Sequence, residues 1–99
     1  MSKREELPIP PVAKRAAEAH EIIRAWIAEE GLHCSLSVDN WPDNESVGWG
    51  ILLSDVVRHV ADALLQLKGI DRSETIRQIR ITLNKELDHP TAEAKGEIV

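Results

Sequence analysis

Phenylalanine and tyrosine are absent from the sequence, and tryptophan occurs only three times among its 99 residues. A core must therefore be built from leucine, isoleucine, valine, alanine and the three tryptophans. A chain of this length forms one domain with a modest core, in a size range where association with a second copy often adds stability. Hydrophobic residues make up 42% and charged residues 29% of the chain, which is typical of a globular protein rather than a disordered one.

Cys34 is the single cysteine, so the chain cannot form an internal disulfide. We expect its thiol to fill a small apolar position rather than to act as a nucleophile. No apolar segment follows the basic N-terminal residues as a signal peptide would require, and charged residues such as Asp55 and Arg58 interrupt the longest apolar run. The sequence therefore predicts a cytoplasmic protein with no membrane span.

Positive charge is in short supply, because 12 lysines and arginines stand against 17 acidic residues and give a net charge of -5. Such a balance repels phosphate backbones and anionic lipids, so nucleic acid and membranes are poor partners. A helix-turn-helix centred on Gly69 is the strongest remaining nucleic-acid interpretation, and we rank it third. Its basic residues are Arg72, Arg77, Arg80 and Lys85, and they share the segment with Glu74, Glu86 and Asp88.

Residues 1–13 combine charges with Pro8, Pro10 and Pro11, which predicts an extended arm. Over residues 14–30 the apolar side chains follow the i, i+3, i+4, i+7 spacing of one helical face, which predicts a first helix that ends before Gly31. The apolar residues of that face are Ala19, Ile22, Ile23, Trp26 and Ile27.

Residues 33–39 alternate between polar and apolar, with Cys34, Leu36 and Val38 on one side, which predicts a short strand. No second convincing strand is present. We therefore expect this strand to pair either with the arm or with its counterpart in a second copy. A concentrated turn signal follows at residues 40–46.

Residues 47–68 predict a long helix with two apolar sides. The main core face comprises Trp49, Leu53, Val56, Val60, Leu64 and Leu67. On another side, at a seven-residue spacing, lie Ile51, Arg58 and Leu65, which we call the seam. Gly69 ends this helix, and the capping box from Asp71 to Glu74 begins a third helix that ends near His89.

These elements predict a mainly α fold with three helices and one short strand between the first and the second, a small α+β fold being the alternative. The arm covers residues 1–13, the helical domain residues 14–89 and a flexible tail residues 90–99.

Asp55 and His59 lie four residues apart on the long helix, with Asp62 one turn further on. A carboxylate beside an imidazole suits a general base or a metal ligand. The sequence has no metal-binding motif and no aligned triad, so we expect no metal and no cofactor and assign no catalytic residue. A small-ligand or metal-dependent activity centred on Asp55 and His59 remains the second hypothesis.

The first hypothesis is a protein-interaction or structural module that self-associates as a dimer through the strand or the seam, and an unidentified protein partner is a further option. In the seam, the stem of Arg58 can pack between Ile51 and Leu65 while its charge reaches Asp55 or Asp62. The candidate binding residues are Ile51, Arg58 and Leu65, together with Trp41, Asp55 and His59.

Four segments carry a resemblance to a known family: ELPIPP at residues 6–11, RAWI at 24–27, HCSL at 33–36 and WGILLSDVVRHVA at 49–61. Over about residues 6 to 90 the chain resembles a family of short bacterial proteins known only as a domain of unknown function. The resemblance implies a free-standing bacterial cytoplasmic protein, and it supplies no reaction, ligand or catalytic residue.

Overall fold

A computed structural model of the protein describes residues 3–91 and 99. In chain order its elements are α1 (Pro11–Arg15), β1 (Ile23–Ala28), β2 (Gly31–Leu36), α2 (Glu45–Lys68) and α3 (Arg72–Asp88). Three helices with an antiparallel hairpin between the first and the second make a small α+β fold that is largely helical. The expectation of three helices is confirmed, whereas the expectation of a single strand is wrong because two strands are present.

The predicted helix over residues 14–30 is wrong. The first helix spans only Pro11–Arg15, and Ile23–Ala28 forms β1 instead. Isoleucine and tryptophan favour extended backbone, and the strand is closed by a two-residue turn at Glu29 and Glu30 with φ values of 47° and 62°. Gly31, which the sequence suggested as a helix stop, is the first residue of β2.

The predicted strand at residues 33–39 is present at Gly31–Leu36, and within the described residues the arm, one of the two expected partners, does not pair with it. Its partner is β1, in a register that runs from Ile23 opposite Leu36 to Ala28 opposite Gly31. Side chains alternate along each strand, so one face of the hairpin is entirely apolar. We call this the hairpin face; its residues are Ile23, Ala25, Ile27, Leu32, Cys34 and Leu36. At the outer edge of β2, the backbone of Val99 is hydrogen-bonded to Cys34 and Leu36.

The second and third helices are confirmed. Gly69 ends α2 in the left-handed conformation, with φ of 68°, and the Asp71 carboxylate accepts a hydrogen bond from the Glu74 backbone N–H at 2.9 Å. Helix α3 then packs along α2, where Ala61 of α2 and Thr75 of α3 are buried.

No other described part of the chain covers much of the predicted core face of α2, where Leu53, Val56, Val60 and Leu67 are exposed. Helix α3 covers the side of Ala61 instead, because α3 is the element that contacts α2. In the described part of the chain, no Cα atom of the hairpin comes within 8 Å of one in α2 or α3. The core is therefore limited to the narrow α2–α3 contact.

The dimensions of the chain agree with this open arrangement. Its radius of gyration is 15.7 Å, whereas a compact domain of this length has about 13 Å. Its accessible surface is 8934 Å², whereas a compact monomer of this mass exposes about 5,700 Å². Residues 92–98 of the predicted flexible tail lie outside the described residues.

Candidate functional site

An open groove of about 370 Å³ lies along the first turns of α2. Its apolar lining comes from Trp41, Val47, Gly48, Ile51 and Leu52, and its polar lining from Asn44 and Asp55. Three of the predicted binding residues, Trp41, Ile51 and Asp55, are therefore brought together in one concave surface, which we call the Trp41 groove.

Trp41 is held in place by its contact with Gly48. Gly48 is buried, and a β-carbon at this position would overlap the indole ring of Trp41. The rings of Trp41 and Trp49 are arranged edge to face, with centroids 6.2 Å apart and planes at 81°. The glycine thus allows an aromatic wall to lie directly against the helix backbone.

Glu45 fixes the loop that carries Trp41. Its carboxylate accepts hydrogen bonds from the backbone N–H of Trp41 at 2.9 Å, the backbone N–H of Asp39 at 3.0 Å and the indole N–H of Trp49 at 3.1 Å. These donors, led by the Trp41 backbone, hold the pKa of Glu45 below its usual value. Sequence reasoning missed this residue; the available signal was an acidic residue in the first turn of a helix.

The seam begins at the groove, because Ile51 belongs to both. Arg58 lies between the two apolar members of the seam and donates a hydrogen bond to the carboxylate of Asp55 at 2.7 Å. Ile51 and Leu65 are exposed by 60% and 46%. The seam is thus an accessible apolar surface with a paired charge at its centre.

The predicted polar edge is divided between two ion pairs. Asp55 pairs with Arg58, and Asp62 pairs with Arg72 of α3 at 2.7 Å. His59 is exposed and does not line the groove. Among residues 3–91 and 99, no three histidine, cysteine or acidic side chains are placed to hold a metal ion. The carboxylates expected to serve His59 are therefore paired with arginines.

Two of the four basic residues of the helix-turn-helix interpretation are also neutralised. Arg72 is paired with Asp62, and Arg77 is paired with Glu74 at 2.6 Å. The guanidinium of Arg77 lowers the pKa of Glu74. This pairing reduces the positive potential available for phosphate contacts.

None of the helices within residues 3–91 combines the length and apolar character needed to cross a membrane.

The chain belongs to the family described as domain of unknown function DUF5076, which matches residues 6–91. The expected resemblance to a domain of unknown function is thereby confirmed. A similar solved structure comes from the photosynthetic bacterium Rhodopseudomonas palustris CGA009, where the protein is provisionally named a pyruvate dehydrogenase. The two sequences are 27% identical, the similarity covers 96% of this chain and 95% of the other, and the TM-score is 0.68. No curated protein matches this chain.

Proposed function

We propose that this protein is a small protein-interaction or structural module of the bacterial cytoplasm that associates with a second copy of itself. The observation that carries the proposal is the apolar surface that the single chain leaves uncovered. The chain exposes 8934 Å², and the excess over a compact monomer is about 3,200 Å². Stable obligate interfaces bury roughly 2,000–5,000 Å² in total, or about 1,000–2,500 Å² on each partner, so the excess on one chain, polar and apolar surface together, is large enough for such an interface.

The hairpin supports the same proposal. On the hairpin face, Ile27 is exposed by 87%, and Leu32 opposite it is also exposed. A two-stranded hairpin is marginally stable in water unless its apolar face packs against something. The helices of the same chain do not cover this face. We therefore propose that a second copy packs against it.

Within this module, we assign the seam to the self-association surface, in addition to the hairpin face. Apolar side chains around a central arginine are typical of the energetically important centre of an interface. The ion pair with Asp55 satisfies the Arg58 charge, which lowers the cost of removing that charge from water.

An enzymatic function is not proposed. The provisional name of the Rhodopseudomonas palustris protein supplies no residue roles, and the one carboxylate among the residues that line the Trp41 groove belongs to Asp55, which is paired with Arg58.

Static light scattering over a dilution series tests the proposal. We expect a dimer that dissociates on dilution, and a monomer at every concentration would overturn self-association. Two matched variants test the seam, Leu65→Asp on α2 and Leu83→Asp on α3, because the two side chains are exposed by 46% and 47% and neither lines the Trp41 groove. Dissociation of the first alone would support the seam, and a dimer retained in both would remove the seam from the interface.

A further inference from the structure

The arm before α1 exposes apolar side chains that have no cover in their own chain. Residues 3–10 are exposed along their whole length, and Leu7 and Ile9 are exposed by 92% and 56%. Removing such side chains from water is favourable, so a surface that covers them would gain binding affinity.

The prolines restrict the backbone conformation of the arm before it binds. Pro8, Pro10 and Pro11 restrict their own φ angles and those of the residues before them. Pro10 has φ of -57° and ψ of 141°, close to the polyproline II conformation. In that conformation residues three apart share a side, which places Leu7 on the side of Pro10. Little conformational entropy is lost when a segment of this kind binds.

The Trp41 groove has the features that such segments recognise. Proline-rich polyproline II segments bind in grooves lined by aromatic side chains. Here Trp41 forms an aromatic wall, Val47, Ile51 and Leu52 are apolar, and the loop is held by the carboxylate of Glu45. The groove of about 370 Å³ falls within the usual size range of binding sites.

The position of the groove favours a segment from a second copy. Ile51 lines the groove and is also the first residue of the seam, so the groove is continuous with the proposed self-association surface. The eight residues from Lys3 to Pro10 span about 25 Å in polyproline II, which is long enough to cross between two associated copies.

We propose that the arm of one copy lies in the Trp41 groove of the other, with Leu7 and Pro10 against the indole of Trp41. In a two-fold dimer the exchange is reciprocal, so each copy contributes one arm and one groove. This inference rests on the proposed self-association. It adds that the arm is the segment, and the Trp41 groove the site, that stabilise the dimer.

Disulfide trapping tests the exchange. Two proteins are prepared in a Cys34→Ser background, one with Ile9→Cys in the arm and one with Asn44→Cys in the groove, and they are mixed and oxidised. We expect a disulfide between the two different chains. A control with Ile81→Cys on α3, an exposed apolar position outside the groove, should trap little product.

Equal trapping in the control would overturn the exchange. A chain carrying both Ile9→Cys and Asn44→Cys tests the alternative occupant: a disulfide formed within one chain, with none between chains, would show that each arm enters its own groove and would also overturn the exchange.

The dissociation constant of the dimer gives an independent measurement. We expect Leu7→Ser/Ile9→Ser to weaken the dimer at least roughly tenfold, and Glu5→Ser/Glu6→Ser to leave it unchanged. An unchanged constant in the first variant would overturn the exchange while self-association stands. A monomeric wild-type chain would contradict the self-association itself.

Discussion

The indole of Trp41 occupies the space that a side chain at position 48 would need, against the buried Gly48 on the first turns of α2. Replacing this glycine by alanine forces the ring and its loop to move. We expect Gly48→Ala to destabilise the protein by about 1–3 kcal/mol, the usual cost of overpacking. Urea unfolding followed by tryptophan fluorescence and circular dichroism measures the change.

Gly50→Ala is the matched control for this prediction. Gly50 lies two residues further along the same helix, where an added β-carbon meets no atom within 4 Å. Because alanine favours helix over glycine, we expect this variant to gain about 0.5–1 kcal/mol. Equal effects of the two substitutions would show that the contact with Trp41 has no energetic importance.

The carboxylate of Glu45 predicts a pH-dependent stability. The pKa of Glu45 is lowered in the folded protein, chiefly by the Trp41 backbone N–H. Its contribution to stability is therefore complete above the unfolded value of about 4.5 and is lost as the pH falls through the lower folded pKa. We expect Glu45→Gln to be less stable than the wild type at neutral pH and to lose less stability in acid.

Urea unfolding at neutral and acid pH checks this expectation, and Glu74→Gln provides the comparison. Arg77 lowers the pKa of Glu74 on α3, so this variant has the same sign of pH dependence. Only the Glu45 substitution replaces one oxygen of the carboxylate that accepts from the Trp41 backbone and the Trp49 indole by an NH2 donor, so only that variant should change the tryptophan emission at neutral pH. The same emission change in both variants would contradict the role given to Glu45.

The backbone conformation of the hairpin turn suggests a substitution that should stabilise the hairpin. Glu29 and Glu30 both adopt positive φ, a conformation that asparagine and glycine accept more readily. We expect Glu29→Asn/Glu30→Gly to gain roughly 1–2 kcal/mol in hairpin stability. Hydrogen exchange of the β1 and β2 amides measures the gain. Glu30→Ala keeps the β-carbon and should gain nothing; faster exchange in the Asn-Gly variant would show that the turn is not strained.

Charge reversal at Arg58 tests the centre of the seam. Arg58→Glu places a second negative charge beside Asp55, and an exposed pair of this kind changes monomer stability by about 1 kcal/mol or less. At the centre of an interface we expect a dissociation constant raised at least tenfold, roughly 1.4 kcal/mol. Arg77→Glu, which breaks a pair of the same spacing on α3, is the control. Light scattering that shows the same small effect for both would remove Arg58 from the interface.

Local sequence signals predicted the helical half of the fold. The end of α2 at Gly69 and the start of α3 after Asp71 depend on a left-handed glycine and a capping carboxylate, both of which act within a few residues. The hairpin was missed because its turn is built from Glu29 and Glu30 rather than from an asparagine-glycine pair. Without that turn signal, the spacing of the apolar residues in this segment predicts a helix instead of a strand.

The candidate site was predictable only in part. The seven-residue spacing placed Ile51, Arg58 and Leu65 on one side of α2, because helix geometry fixes such relationships. The groove depends on the loop that returns Trp41 to the backbone of Gly48 and on the reach of Glu45 to three donors. These contacts join residues whose relative positions are set by loop conformation, which residue spacing does not encode.

Sedimentation equilibrium of the unmodified chain tests the central claim most directly. The uncovered apolar surface predicts a mass close to twice the 11.1 kDa of one chain at micromolar concentration, with a shift toward one chain only on strong dilution. A mass of 11.1 kDa at every concentration, with the helices and hairpin intact by circular dichroism, would contradict the account.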